Sequence, residues 1–291
     1  HNHTYLCKHA QMVDPCALAK IYSLKNFKYA VFCDHNPFEG DDFDIIHRMD
    51  FRQFEQFNEL YQKHQLYCHE LDLIPLKYME VDWAVLDNDR TVNFVSQNLQ
   101  DFDCVMGSIH FNDEWEMEVM KNQSGQEFFE FFQQQFLKMV DSKLFQVATH
   151  FDFFRVYAQK TKMFGKSFID KFSVQTIAKR ADQIVIEINT GASKFQKQIN
   201  YEIEFFPNRE VIKELAALNC KFTVGSDAHK LELVAGKFKQ VYEFLLEIGV
   251  EELYYFVKKE RMSYKVRDAL ERLREVEQGQ VEQVALEFKI Q

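Results

Sequence analysis

Residues 27–37 read Phe-Lys-Tyr-Ala-Val-Phe-Cys-Asp-His-Asn-Pro. The run 27–33 is aromatic, β-branched or apolar apart from Lys28, which suits a buried strand. It stops at Asp34-His35, two residues with chemistry. The same grammar recurs along the chain. Residues 73–81 (LIPLKYMEV) form an apolar run ending at Glu80 and Asp82. Residues 102–109 end at His110, and 145–149 end at His150 and Asp152. Residues 184–188 end at Asn189-Thr190-Gly191, and 222–224 at Gly225-Ser226-Asp227-Ala228-His229. Helical patterns lie between them, at 14–25, 51–67, 126–140, 168–181 and 208–218. Asp14 is placed as an N-cap and Pro15 at the first helical position. The remainder, 232–291, is predicted to be mostly helical, with charge-laced faces over 251–276.

Strands alternating with helices predict an α/β fold with a parallel sheet and helices outside. With the opening stretch as the first strand there are seven units. They predict a distorted (β/α)7 TIM-like barrel, with the polar clusters at the C-terminal ends of the strands, where barrels place their catalytic groups. No Pro/Gly/Ser-rich linker divides the chain, so residues 1–291 are expected to form a single domain.

The opening stretch is itself dense in ligand chemistry: His1-Asn-His3-Thr-Tyr-Leu-Cys7-Lys-His9-Ala10. Residues i and i+2 of a strand share a face, so His1 and His3 can hold one cation, with His9 in reach of a neighbouring one. The chain starts at His1 without Met or an apolar lead-in, which reads as a start inside a first strand. A His-x-His pair is a weak signal alone. Seven of the ten histidines, however, fall at strand ends or in this stretch: His1, His3, His9, His35, His110, His150 and His229. His47, His64 and His69 fall in helical or connecting sequence and are expected to be ordinary surface or core histidines. The carboxylates of Glu80 and Asp227 join the seven. Imidazoles mixed with carboxylates suit zinc, iron or manganese, and a carboxylate can bridge two ions.

Composition narrows the partners. A net charge of -10 argues against a nucleic-acid surface, which needs clustered cations. No apolar run is long enough for a membrane span. Six scattered cysteines with no C-x-x-C pair read as reduced core thiols of a cytoplasmic protein, with a ligand or redox role open for Cys7. The 30 Phe are taken as a compositional habit with no functional weight.

The ordered motifs His1-x-His3 with His9, Asp34-His35, Met-Glu80-Val-Asp, Gly-Ser-Ile-His110-Phe, Thr-His150-Phe-Asp and Asp227-Ala-His229 resemble those of the polymerase-and-histidinol-phosphatase (PHP) superfamily. That resemblance spans positions 1–229 and implies a metal-dependent phosphoesterase on a distorted (β/α)7 barrel. It also implies three divalent ions. His1, His3, Glu80 and Asp227 would hold the first, His9, His35 and His229 the second, and Glu80 with His110 and His150 the third. Within the superfamily the chain is most similar to the monofunctional histidinol-phosphate phosphatases. The matching stretches are His-x-His-Thr with Cys7-x-His9-Ala10, Gly107 to Trp115, and Glu187-Ile-Asn-Thr-Gly191 with Phe206-Pro207. The implied reaction is hydrolysis of L-histidinol phosphate to L-histidinol and phosphate, a step of histidine biosynthesis, by metal-hydroxide attack.

Six positive charges against the two carboxylates make the pocket positive in an acidic chain, which suits a small phosphate monoester. Arg155 is a candidate phosphate contact and catalytic residue beside Asp227 and His229. Lys194 and Lys197 are further phosphate candidates, each also readable as a solvated loop lysine. Asp113, Glu114, Trp115 and Glu116 offer acceptors and an aromatic wall for a cationic leaving group, or else an acidic surface loop. Asp34 and Asp82 are expected to orient ligand histidines; capping nearby backbone is the alternative for both. Leaving-group protonation stays open between Asp227, Asp152 and a bound water. Three other functions remain in play: another PHP phosphatase acting on phosphotyrosine protein or a small ester, an amidohydrolase-type hydrolase on an eight-stranded barrel, and a non-catalytic metal module. His9 and His229 disfavour the amidohydrolase, and the complete ligand set disfavours the last.

Overall fold

The computed structural model describes residues 1–10, 13–37, 47–110, 124–154, 174–195 and 204–288. Its centre is a six-stranded parallel sheet in sequential order: β1 (Tyr29–Phe32), β2 (Ile74–Asp82), β3 (Cys104–Ser108), β4 (Val147–Ala148), β5 (Val185–Asn189) and β6 (Phe222–Gly225). Helices α1 (Pro15–Leu24), α2 (Phe51–Glu70), α3 (Asn88–Asn98), α4 (Gly125–Asp141), α5 (Val174–Ala178) and α6 (Arg209–Ala217) alternate with the strands. Sequential parallel strands joined through helices make a sheet that curls, in keeping with a TIM-like barrel.

The predicted first strand is reduced to one bridge. Asn2 pairs parallel with Ala228 just beyond β6, and its side-chain amide donates to the Val31 carbonyl of β1 at 3.0 Å. Thus one residue touches both edges of the curl.

Local chemistry sets the helix starts. The Asp14 side chain accepts from the Cys16 amide at 2.7 Å, with Pro15 next in the chain. Asp50 with Gln53 and Ser124 with Glu127 form capping boxes at α2 and α4. Helix α3 had no counterpart in the sequence analysis; Asp87 caps it, accepting from the Arg90 amide at 3.3 Å. Of the predicted helix 168–181, residues 168–173 lie outside the described set.

The two faces of the sheet divide the core. Met79, Val81, Val105, Ala148, Ile186 and Ile188 pack outward with the buried faces of the helices. Here the phenylalanines find their use: Phe128, Phe132 and Phe136, four apart on α4, are all essentially inaccessible. The inward set contains Leu76, Tyr78, Cys104, Met106, Val147, Val185 and Phe256.

Phe256 corrects the expectation for the C-terminal region. Beyond α7 (Phe238–Glu247), residues expected to be helical form the antiparallel hairpin β7 (Glu252–Val257) and β8 (Glu260–Lys265). Helices α8 (Val266–Arg272) and α9 (Gln278–Glu287) follow. The aromatic run Leu253-Tyr-Tyr-Phe-Val257 prefers a pleated surface, and Lys258 and Lys259 both take positive φ, as a tight two-residue hairpin turn requires.

The hairpin covers the inner face of the sheet at the end away from the polar clusters. The Tyr78 hydroxyl donates to the Phe256 carbonyl and accepts from its amide. Asp103 accepts from the amides of Lys77 and Lys258, both at 2.8 Å. A cavity of about 340 Å³ lies between hairpin and sheet edges, lined largely by tyrosines and apolar groups, with His1 and Glu187 on its lining. All six cysteines are unpaired thiols. Among the described residues no helix is long and apolar enough to cross a membrane.

Candidate metal centre

Parallel register carries the strand ends to one rim. Glu80 lies opposite Met106, Asp82 opposite Ser108 and Glu187 opposite Thr223. His35 bridges to Glu80 just past β1. His110 and His150 each lie two residues beyond β3 and β4.

Glu80 is the hub and is fully buried. Its Oε2 lies 3.1 Å from His1 Nε2, 3.4 Å from His3 Nε2 and 3.0 Å from His35 Nδ1. Its Oε1 lies 2.9 Å from His150 Nε2 and 3.5 Å from His110 Nε2. Burial by itself pushes the Glu80 carboxyl up. The imidazoles of His35, His1 and His110, with the His1 hydrogen bond, outweigh it and hold the group well below the ordinary carboxylate range.

Around this hub the donors sort into sets whose ligand atoms lie within 4.8 Å of one another. They are His1, His3 and Asp227; His1, Glu80 and His150; His35, Glu80 and His110; and His3, Cys7, His35 and His229. His3 Nε2 lies 3.2 Å from both His1 Nε2 and Asp227 Oδ1, and His110 Nε2 lies 3.3 Å from His150 Nε2. Imidazole nitrogens this close need a proton or a cation between them. His3 Nδ1 is buried without a hydrogen-bond partner.

Nitrogen and carboxylate donors facing one small volume, out of water, fit divalent transition ions. Burial lowers the pKa values of His3 and His35, so both rings are neutral near pH 7 with lone pairs available.

His9 stands at the margin. Its ring centroid is 4.3 Å from that of His229 and 5.7 Å from that of His35, yet Cys7 and not His9 falls inside the tight set. Desolvation, then the charges of His3 and His47, lower its pKa to about 4. His47 lies edge-on to His9 at 4.9 Å. His64, by contrast, is a core histidine, held against the Pro15 carbonyl at 2.9 Å and the Ala30 carbonyl at 3.5 Å.

A supporting layer orients the ligands. His110 Nδ1 donates to Asp82 Oδ1 at 2.5 Å, Ser108 donates to the same oxygen at 2.6 Å, and Arg48 pairs with Asp82 Oδ2. Asp82 therefore aims His110 Nε2 at Glu80, as expected. Asp34 does the alternative job: it accepts from the Thr4 amide at 2.8 Å and hydroxyl at 2.6 Å, while His3 Nδ1 stays 3.9 Å away. Burial, opposed by those hydrogen bonds, pushes its carboxyl up to about 7.

Sequence reasoning gave Glu187 no role at the metals. His1 Nδ1 donates to Glu187 Oε1 at 2.7 Å, and Glu187 Oε2 accepts from the His150 amide and the Asn189 side chain, both at 3.0 Å. Burial opposes protonation of His1, but the Glu187 and Glu80 charges and hydrogen bonds raise its pKa well above normal; a cation would take the place of the Nε2 proton. The available signal was a carboxylate interrupting an apolar strand, Val-Ile-Glu-Ile, as at Glu80.

His150 and Asp227 adopt φ of 22° and 47°. Non-glycine residues rarely occupy this region, and such strain concentrates at functional sites.

Arg155, Lys197, Asp113, Glu114, Trp115 and Glu116 lie outside the described residues. Lys194 lies in a short 3-10 turn, Thr190–Phe195, just beyond β5.

No family model and no curated protein matches the chain. Solved structures do, these two among them. One, from Listeria monocytogenes and provisionally described as a histidinol phosphatase, has a TM-score of 0.64 at 16% identity and covers 82% of this chain and 98% of its own. The other is histidinol phosphate phosphatase from Lactococcus lactis, solved with zinc, L-histidinol and phosphate. It has a TM-score of 0.64 at 14% identity and covers 90% of this chain and 97% of its own. This chain has their fold. At such identity the likeness is one of architecture, and the donor geometry carries the chemistry.

Replacing Asp82 with Asn tests the supporting layer. The variant keeps volume but loses the charge that pairs with Arg48 and fixes His110. Affinity for one divalent ion is expected to fall about 10–100-fold, as for other partners of ligand histidines. Metal titration calorimetry with unchanged circular dichroism reads this; unaltered affinity would assign Asp82 to structure alone.

Proposed function

We propose that the chain is a metal-dependent phosphomonoesterase that hydrolyses L-histidinol phosphate to L-histidinol and phosphate. The observation that carries this reading is Glu80, a buried carboxylate facing the imidazoles of His1, His3, His35, His110 and His150 within 3.5 Å. The fold shared with a phosphatase solved with zinc, histidinol and phosphate supports the substrate.

In this reading the site takes three ions on a (β/α)7 barrel formed by a single domain. His1, His3, Glu80 and Asp227 hold the first; His9, His35 and His229 the second; Glu80, His110 and His150 the third. The bound cations supply Lewis acidity toward phosphate oxygens and a water acidified toward neutral pH. The chain's part is preorganisation. Burial keeps the His3 and His35 rings neutral and the site dry, which strengthens its electrostatics. Glu187 and Asp82 hold His1 and His110 so that each presents Nε2. Glu80 and Asp227 return only part of the positive charge, leaving the site attractive to a phosphate dianion. Arg155 binds phosphate, assisted by Lys194 and Lys197. Asp113 and Glu114 receive the ammonium and imidazole of histidinol, with Trp115 as a wall.

A phosphate-release screen over histidinol phosphate, phosphotyrosine and other monoesters, with zinc, manganese or iron, tests the reading. Chelation should abolish turnover, a divalent ion should restore it, and histidinol phosphate should show the highest kcat/KM. No release from any ester with any ion sinks it.

Arg155→Ala should raise KM for the ester by about 10–100-fold, the loss of a charge-assisted hydrogen bond worth about 1.5–3 kcal/mol. Unchanged KM and kcat would make Arg155 a bystander.

A further inference from the structure

We propose that Cys7 is a thiolate ligand of the second ion, completing a nitrogen-and-sulfur set with His9, His35 and His229. The proposal deepens the metal-centre reading and rests on it.

The geometry is specific to this thiol. Cys7 Sγ lies within 4.8 Å of the ligand atoms of His3, His35 and His229, and no other cysteine joins such a set among the described residues. Cys7 is fully buried, although it stands among imidazoles and not in an apolar cluster. Its backbone is pinned in a turn, with its amide donating to the Thr4 carbonyl at 3.0 Å and its carbonyl accepting from Ala10 at 2.8 Å. Thr4 is in turn clamped by Asp34. The thiol thus has little freedom to leave the site.

His9 reaches the same place from the exposed side, with Nδ1 3.2 Å from Sγ. His3 and His35 each bring one ring nitrogen to within 4.8 Å of Sγ, and His35 Nδ1 lies 3.0 Å from Glu80 Oε2 on the neighbouring side of the site. One sulfur and three imidazole nitrogens match the four-coordinate preference of zinc. Ligation replaces the S–H bond with an S–metal bond, and the proton passes to solvent. A soft thiolate biases this position toward zinc or iron(II) over manganese, while the carboxylate-bearing positions stay permissive.

The test is cobalt substitution of the full chain, read by absorption. Visible d–d bands report ligated cobalt, and a near-ultraviolet sulfur-to-cobalt band reports a thiolate ligand. The expected result is both sets of bands in the wild type, loss of the near-ultraviolet band in Cys7→Ser with visible bands retained, and its persistence in His9→Ala. Visible bands without the sulfur band in the wild type, or a sulfur band that survives Cys7→Ser, overturns the proposal and leaves the metal centre intact. Absence of both sets defeats the metal-centre reading itself. If Cys7→Ser does not fold, X-ray absorption of zinc-loaded wild type decides: a sulfur scatterer at about 2.3 Å is expected, and a shell of nitrogen and oxygen alone refutes it.

Discussion

Glu80→Gln is expected to lower phosphate release by about 10³-fold or more and to cost at least one bound ion. A single preorganised electrostatic contact is commonly worth about 10²–10³ in rate, and Glu80 makes several. Its two oxygens face five imidazoles in a fully buried setting. Gln keeps the volume but presents an amide NH₂ to one side of the ring of nitrogens. That group cannot accept, cannot bridge two cations, and leaves positive charge uncompensated out of water. Elemental analysis after dialysis, beside circular dichroism, separates loss of metal from loss of fold. Full metal content with normal turnover would remove Glu80 from the centre of the site.

The second large effect is predicted away from the ligands. Gly225→Ala places a methyl 1.9 Å from Glu187 Oε1 and 2.7 Å from His1 Cβ. Neither neighbour can move cheaply. Both Glu187 oxygens accept hydrogen bonds, and His1 is tied to Glu187 and Glu80. Overpacking costs about 1–3 kcal/mol, and a broken charge-assisted hydrogen bond adds about 1.5–3 kcal/mol. Thermal or urea unfolding should show a loss of that order, with weakened metal binding. In a Glu187→Ala background the same substitution should cost less, because the nearest clashing atom is gone and only the His1 Cβ contact remains. Additive losses would show that Gly225 acts through something other than Glu187.

The order of the fold was legible because each βα unit carries its own signal. Residues 27–33 are apolar and then stop at Asp34-His35, and the pattern recurs through 222–229. Asp14-Pro15 marked the start of α1 through local capping chemistry. The hairpin Glu252–Lys265 was misread because its charged residues obscured an aromatic strand run, and because its Lys258-Lys259 turn carries neither Asn nor Gly. Helix α3 was missed where a single capping Asp87 stood without a strong apolar period. The opening strand was expected in full, but only Asn2 pairs, since the rest of the stretch turns to bring Cys7 and His9 over the site.

By itself, the sequence determined the alternation of strands and helices and the set of ligand-type residues at the strand ends, because both follow from local composition and spacing. Only the tertiary structure decided which donors meet. Parallel register placed Glu80 beneath five rings drawn from positions 1 to 150, and placed Glu187 behind His1 across 186 residues. The positive φ at His150 and Asp227 and the close approach at Gly225 likewise exist only once the sheet has curled. So does the approach of Cys7 Sγ and His9 Nδ1 to 3.2 Å, from the buried and exposed sides of one turn. Distances between side chains from separate strands are set by packing, and no local pattern encodes them.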